Sequence, residues 1–349
     1  MLYLVLLALA AGYLILEQII HRWRLQRIPL RIHVNGTRGK TTVVRLTAEL
    51  LRRAGIRTLA KATGDHPELI LLDGRHRRLQ RKGPARIHEQ LTFIAEADRQ
   101  KAQAVVVECM ALDEHLQDVS EHLMMRSTIG VITNVRPDHF EVMGSSLDQV
   151  AQSLSRTIPA RAVLVTESGP YESMLRERCE AAGTQICVPA RNSAGSGARG
   201  ARCLMEENLD FVRLIGQQAG LPAATIDRLL AEMAAREQPR TLLRMGAGSE
   251  RMVLLDAFSA NDTVSAAQLQ EEFLSADAEW CPRPIVALLN ARADRPLRTV
   301  AFVEYMAART CFDAIGLTGD GRWLARRRLR RLSPPMPLFA LTPCAPARM

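Results

Sequence analysis

Apolar residues fall in two rhythms along this chain. Short apolar runs rich in Val and Ile, most of them continuous, lie at 30–34, 104–109, 129–134, 162–166, 252–257, 285–290 and 314–318. Between them, apolar positions recur at helical spacing over 41–54, 86–101, 147–157, 170–182, 223–235, 263–276 and 297–310. A strand that is apolar throughout is covered on both faces, and strand–helix alternation supplies the cover. The pattern predicts an α/β fold built on a parallel sheet. Two stretches interrupt it. Residues 189–200, PARNSAGSGARG, read as a flexible loop or linker, and a domain boundary is expected near 238–250. The chain divides accordingly into a helix over 1–20, a central domain over 28–240 and a smaller C-terminal domain over 250–349. The run RWLARRRLRR at 322–331 reads as a basic helix with a solvated face.

The first 16 residues carry no charged side chain, and Ile19 and Ile20 extend the run past Glu17. About 20 apolar residues cross a bilayer as a helix, so the segment is long enough, at the short end. His21, Arg22, Arg24 and Arg27 follow at once, with Trp23 among them. Positive charge on this flank holds it on the cytoplasmic side, and Trp23 suits the interface. The reading is a single-pass anchor in the cell membrane with the domains in the cytoplasm. A cleaved signal peptide, with Ala8-Leu9-Ala10 as its small residues, and a buried helix are the alternatives.

Composition narrows the class. The 349 residues are 47% hydrophobic and 24% charged, which is globular, while 4% aromatics poorly supply a base-stacking surface, so no nucleic-acid partner is expected. The net charge of +9 fits either a soluble Arg-rich protein or an anionic partner. Seven scattered cysteines with no C-x-x-C exclude a disulfide framework and a zinc knuckle, leaving reduced thiols.

Candidate chemistry gathers where the apolar runs end. Asn35-Gly36-Thr37-Arg38-Gly39-Lys40-Thr41-Thr42 joins a strand to a helix. Such a loop offers backbone N–H groups and a helix dipole to an anion; Gly36 and Gly39 allow close approach, Lys40 reaches terminal phosphates, and Thr41 offers a hydroxyl to Mg²⁺. Against G-x-x-x-x-G-K-[ST], Val34 stands where the first glycine belongs. Glu108 ends a second strand and suits Mg²⁺ or its water. Asn134, Asp138 and His139 follow a third. Asp256, Asn261 and Asp262 follow a fourth, and Asn290, Arg292 and Asp294 a fifth. An alternative class at this stage is a loop-based phosphotransferase without ligation.

Together these residues resemble the Mur ligases and folylpolyglutamate synthases. Their G-T-x-G-K-T-[ST] loop matches Gly36–Thr42 and has no upstream glycine, which removes the difficulty with Val34. Glu108 matches a strand-end glutamate, and Asn134-x-x-x-Asp138-His139 matches N-x-x-x-D-H. Asn261 lies in a stretch similar to S-x-A-x-N-P, with Asp262 in place of Pro. The branch that makes poly-γ-glutamate is closer: N-G-x-R-G-K-[ST]-T, E-C-M-A, D-H-x-x-V-M-G, F-x-A-N-D and N-x-R-A-D-R stand at 35–42, 108–111, 138–144, 258–262 and 290–295. Arg38 is the loop position that points to this branch. The likeness runs to about residue 320.

The resemblance implies a P-loop central ATPase domain over 28–240 and a Rossmann-like C-terminal ligase domain over 250–349, the completeness of which it leaves open. It implies an ADP-forming acid–amino-acid ligase using ATP and Mg²⁺. Glutamate, the growing poly-γ-glutamate chain and other membrane subunits of a synthase are the implied partners. Lys40, Glu108 and His139 are the implied catalytic residues, and Thr41, Glu108 and His139 the metal ligands. Gly36, Thr37, Arg38, Gly39, Lys40, Thr41, Thr42, Asn208, Asn261, Arg292 and Asp294 are the implied nucleotide contacts. The alternative is an anchored nucleotide-binding subunit inactive without partners. Three departures limit the carry-over. Residues 158–163 lack the lysine that many Mur ligases carbamylate, 189–207 is shorter than in the branch, and no match follows Asp320.

Overall fold

The computed structural model describes residues 1–64, 67–81, 83, 85–137, 140–189, 204–236, 242–245, 252–255, 257, 260, 262–276, 284–332 and 336–341. They fall into two units, the described residues up to 189 together with 205–236, and Leu204 together with those from 242 onward.

The first unit opens with helix α1 (Leu2–Gln26), strand β1 (Leu30–Asn35), α2 (Lys40–Arg53) and strands β2 (Thr58–Ala62), β3 (Glu68–Ile70) and β4 (His76–Arg78). It continues through α3 (Glu89–Arg99), β5 (Ala104–Glu108), α4 (Glu114–Val119), a π-helical turn (Ser120–Met125), β6 (Ile129–Ile132), α5 (Phe140–Met143) and α6 (Leu147–Ser155). It closes with β7 (Val163–Thr166), α7 (Glu172–Ala182), β8 (Gln185–Cys187), α8 (Leu204–Gln218) and α9 (Ala223–Arg236). The strands form one sheet in the order β4-β3-β2-β5-β1-β6-β7-β8. From β2 to β8 all neighbours are parallel; β3 and β4 add an antiparallel edge. The sequence pattern omits this edge and β2, because Lys61 interrupts the apolar run and β4 is exposed and basic.

The alternation of side chains decides which face each residue serves. Ile32, Val34, Ala60 and Val106 face α2 and α8, packing with Val43, Val44, Leu51, Phe211 and Ile215. Leu59, Val105 and Val107 face the other way, toward Phe93 and Ile94 of α3 and Leu25 of α1. A buried Leu, Ile or Phe contributes about 1.5–3 kcal/mol, so these two layers fix the order of the central strands. Helix α2 is held on its outer side by α9, through Leu46, Leu50, Ile226 and Leu230.

Helix α1 runs to Gln26 rather than stopping at residue 20. Its last turns are tied to the sheet: Leu25 is buried, and His21 Nε2 lies 2.7 Å from the Met124 carbonyl. The apolar part before them is exposed and long enough to cross a membrane.

In the second unit, β9 (Leu242–Met245) pairs antiparallel with β10 (Met252–Leu255). After α10 (Thr263–Ala276) come β11 (Val286–Asn290), α11 (Pro296–Ala307), β12 (Ala314–Thr318), α12 (Arg322–Leu332) and β13 (Leu338–Ala340). Strands β11, β12 and β13 are parallel. Their core joins Leu289, Val303, Ile315, Leu317 and Leu329. The basic run 322–331 is therefore packed through Ala325 and Leu329; its arginines are exposed except Arg328, which is half-buried.

Candidate active site

The parallel register carries the ends of β1, β5 and β6 to one edge of the sheet. Val34 pairs with Glu108 on one side and with Val131 on the other. The loop 36–39 leaves β1 there and turns into α2. Gly36 has φ +123° and Gly39 φ +79°, both in the region that glycine alone enters without strain. Gly39 caps α2 without a side chain, so the helix opens directly onto the loop.

The loop is braced from β6. The Asn134 Oδ1 accepts from Thr37 Oγ1 (2.7 Å) and from the Arg38 N–H (2.9 Å), and the Thr37 N–H donates to the Asn134 carbonyl. Thr133 Oγ1 donates to the Arg38 carbonyl, and the Arg136 N–H donates to Thr37 Oγ1. Lys40 folds back over the loop, its Nζ donating to the Gly36 carbonyl at 2.7 Å and the Thr37 carbonyl at 3.4 Å. Thr42 is the third residue of α2 and is partly buried.

Glu108 is 4% exposed at the end of β5. Its Oε2 accepts from Thr41 Oγ1 at 3.0 Å and from the Thr63 N–H at 2.7 Å. A buried carboxylate and a hydroxyl at this spacing are oxygen donors of the kind Mg²⁺ takes alongside waters and phosphate. Among the described residues no three of His, Cys, Asp and Glu converge on a metal. His139 and Asp138 lie outside the described residues, as does Asn261.

Asn208 belongs to α8, yet it reaches the loop: a β-carbon on Gly39 would stand 2.6 Å from its Oδ1. Its neighbour Glu207 pairs with Arg136 at 3.1 Å. In the second unit, Arg292 and Asp294 follow β11 and form a two-pronged pair with each other, at 2.9 and 2.6 Å.

Asn134 is a candidate in the sequence, but its bracing role needs the pairing of β1 with β6. Two further residues at or near this edge carry no signal in the sequence. Glu167, just past β7, is driven up to about 7 by burial, against the pull of Arg136. Lys61 on β2 is 1% exposed and pairs with Glu89 at 2.9 Å; burial lowers its pKa. Residues 158–163, where a carbamylated lysine was sought, lead into the opposite end of β7.

Comparison with known proteins follows the same division. Residues 34–193 match the Mur ligase middle domain, and residues 242–339 match the poly-gamma-glutamate synthase CapB C-terminal domain. The capsule biosynthesis protein CapB of Bacillus anthracis is 30% identical over 84% of this chain and 63% of its own length. The PGA synthase CapB of Bacillus subtilis (strain 168) is 29% identical over 83% of this chain and 74% of its own length. The chain is thus similar to a Mur ligase middle domain over its first part and to CapB over most of its length. The match to residue 339 corrects the expectation that likeness ends near Asp320. Escherichia coli FolC in complex with ADP superposes with a TM-score of 0.60 at 13% identity, over 93% of this chain and 84% of that one. At that identity the likeness speaks for the fold. The chain spans 63% of the Bacillus anthracis protein, somewhat under two thirds.

Proposed function

We propose that the protein is an ATP-dependent amide ligase that adds glutamate to poly-γ-glutamate at the cytoplasmic face of the membrane. The observation that carries this is the Thr41–Glu108 pair beneath a glycine loop opening onto a helix. Homology to CapB over most of the chain supports the substrate. ATP is a substrate of this chemistry: a carboxylate takes its terminal phosphoryl group, and the amine of glutamate then displaces phosphate to leave the amide. A poor leaving group becomes a good one.

The residues have separate tasks in this reading. The backbone of Gly36–Gly39 and the start of α2 cradle the phosphates. Lys40 leaves the loop carbonyls to meet them, its charge offsetting charge that builds during transfer. Thr41, Glu108 and His139 would hold Mg²⁺, which would neutralise phosphate charge when bound. Asn134 keeps the loop in shape, and Asn208 borders it. Helix α1 is the membrane anchor, supported by its length and exposed apolar surface; other membrane subunits of a synthase are its partners.

The test uses membranes carrying the full chain, supplied with ATP, Mg²⁺ and glutamate. Glutamate-dependent ADP release together with amide polymer is expected. ADP release that ignores glutamate and yields no amide would sink the ligase reading and leave a bare nucleotide hydrolase.

A further inference from the structure

The end of the sheet opposite the nucleotide loop holds a cavity of about 540 Å³. It sits where β1, β6 and β7 begin, and α1 supplies part of its wall. Arg22, Arg31, Arg126, Arg161 and His122 line it, with Glu121 as the one acid in the lining. Glu121 is 1% exposed and already engaged: its two oxygens accept from Ser127 and meet His33 Nδ1 at 2.8 Å. The open charge in the cavity is therefore cationic.

Two of these arginines stand in costly backbone. Arg126 has φ +43° and Arg161 φ +53°, the left-handed region that a β-carbon disfavours. Each occupies a junction leading into a strand. At comparable junctions Gly55 and Gly183 take that conformation. An arginine held where glycine fits better is a strained residue whose side chain matters. Arg126 ends the π-helical turn, itself a rare geometry that recurs at functional sites. Arg31 braces the wall by donating to the carbonyls of Leu25, Ile28 and Arg126. Among the described residues, the guanidinium groups of Arg22, Arg126 and Arg161 have no hydrogen bond or ion pair.

The position of the cavity selects its ligand. Arg22 follows Ile20 by two residues, about 3 Å along a helix. Cavity and apolar segment thus share one helix, and the arginines stand at the level where a crossing helix meets lipid headgroups. We infer that this cavity binds the phosphate of an anionic phospholipid headgroup and so seats the first unit against the membrane. The inference rests on α1 being the anchor. Each arginine facing such a headgroup is worth roughly fivefold in lipid preference.

Glycine substitution separates binding from folding here, because Arg126→Gly and Arg161→Gly remove the side chains and relieve the backbone at once. The full chain is purified in detergent with equal phosphatidylglycerol and phosphatidylcholine, and retained lipids are weighed by native mass spectrometry. Wild type is expected to retain phosphatidylglycerol preferentially. The double variant is expected to lose about 25-fold of that preference while its Tm stays level or rises. No preference in wild type, or the same preference in both proteins, overturns the proposal. So does arginine-dependent binding of inorganic phosphate, or of poly-γ-glutamate oligomers, with no lipid preference; those results assign the cavity to a free anion or to the product. Flotation on pure phosphatidylcholine vesicles tests the anchor separately: both proteins should float, and failure of wild type to float overturns the anchor instead.

Discussion

Replacing Gly36 with alanine probes the loop geometry most directly. At φ +123° an alanine is strained by about 1–3 kcal/mol. The new β-carbon would also stand 2.1 Å from Thr133 Oγ1 and 2.8 Å from the Thr133 nitrogen. The hydroxyl can rotate away, but the nitrogen cannot, since it donates to the Asn35 carbonyl as the sheet pairing ends. Relieving that overlap costs about 1–3 kcal/mol more, as overpacking does in a filled interior. The sum, about 2–6 kcal/mol, lowers Tm by roughly 5–20 °C for a unit of this size. Gly55→Ala is the control: it has φ +85° and open space around the added carbon, so it bears strain alone, about 1–2 kcal/mol. Thermal melts read the stability, and titration with a fluorescent ATP analogue reads the loop. Gly36→Ala should melt below Gly55→Ala and bind nucleotide at least about tenfold more weakly, or 1.4 kcal/mol. If the two variants melt together and Gly36→Ala binds within about twofold of wild type, the packed loop is not the nucleotide site.

Further predictions test the chemistry and the core. Lys40→Ala should reduce ADP release by about a hundred- to a thousandfold while changing stability by about 1 kcal/mol, the size of the hydrogen bonds it makes to the loop carbonyls; wild-type turnover would remove Lys40 from the mechanism. His139→Ala and Glu108→Gln should each raise the Mg²⁺ needed for half-maximal ADP release, and an unchanged requirement would make that residue structural. The buried His33–Glu121 pair predicts a pH dependence. Burial alone would push the His33 ring down, but the Cys109 sulfur and the Glu121 carboxylate outweigh it and raise it to about 10. Its stabilisation is complete below the unfolded value near 6.5 and is lost as pH rises toward 10, by at most about 1.4 kcal/mol per pH unit. Melts from pH 7 to 9.5 should fall more steeply in wild type than in a His33→Gln/Glu121→Gln variant; equal slopes would show that the pair does not carry the charge.

Much of the site was legible because its signals are local. Gly36 and Gly39 announce a backbone that other residues avoid, Lys40 and Thr41 sit at fixed offsets from them, and Glu108 ends a run of four buried residues. Residues whose roles depend on neighbours were not legible in the same way. Nothing around Asn134 says that its amide holds Thr37 and Arg38, and Asn208 meets Gly39 only because α8 returns to cover α2. Lys61 hid β2, since a charged residue in a short apolar run reads as an interruption until Glu89 is seen beside it.

Local sequence carries the periodicities, and with them the α/β class, an apolar helix at the N-terminus and the loop that requires glycine. These follow from steric limits on single residues and from the fixed repeats of helix and strand, which any window of the chain carries. Tertiary structure alone decided that β1 lies between β5 and β6, bringing Glu108 and Asn134 to the loop. It also decided that Arg22, Arg31, Arg126 and Arg161 share one cavity. Strand order is settled by which apolar faces bury best against each other across long separations, and no local repeat encodes that choice.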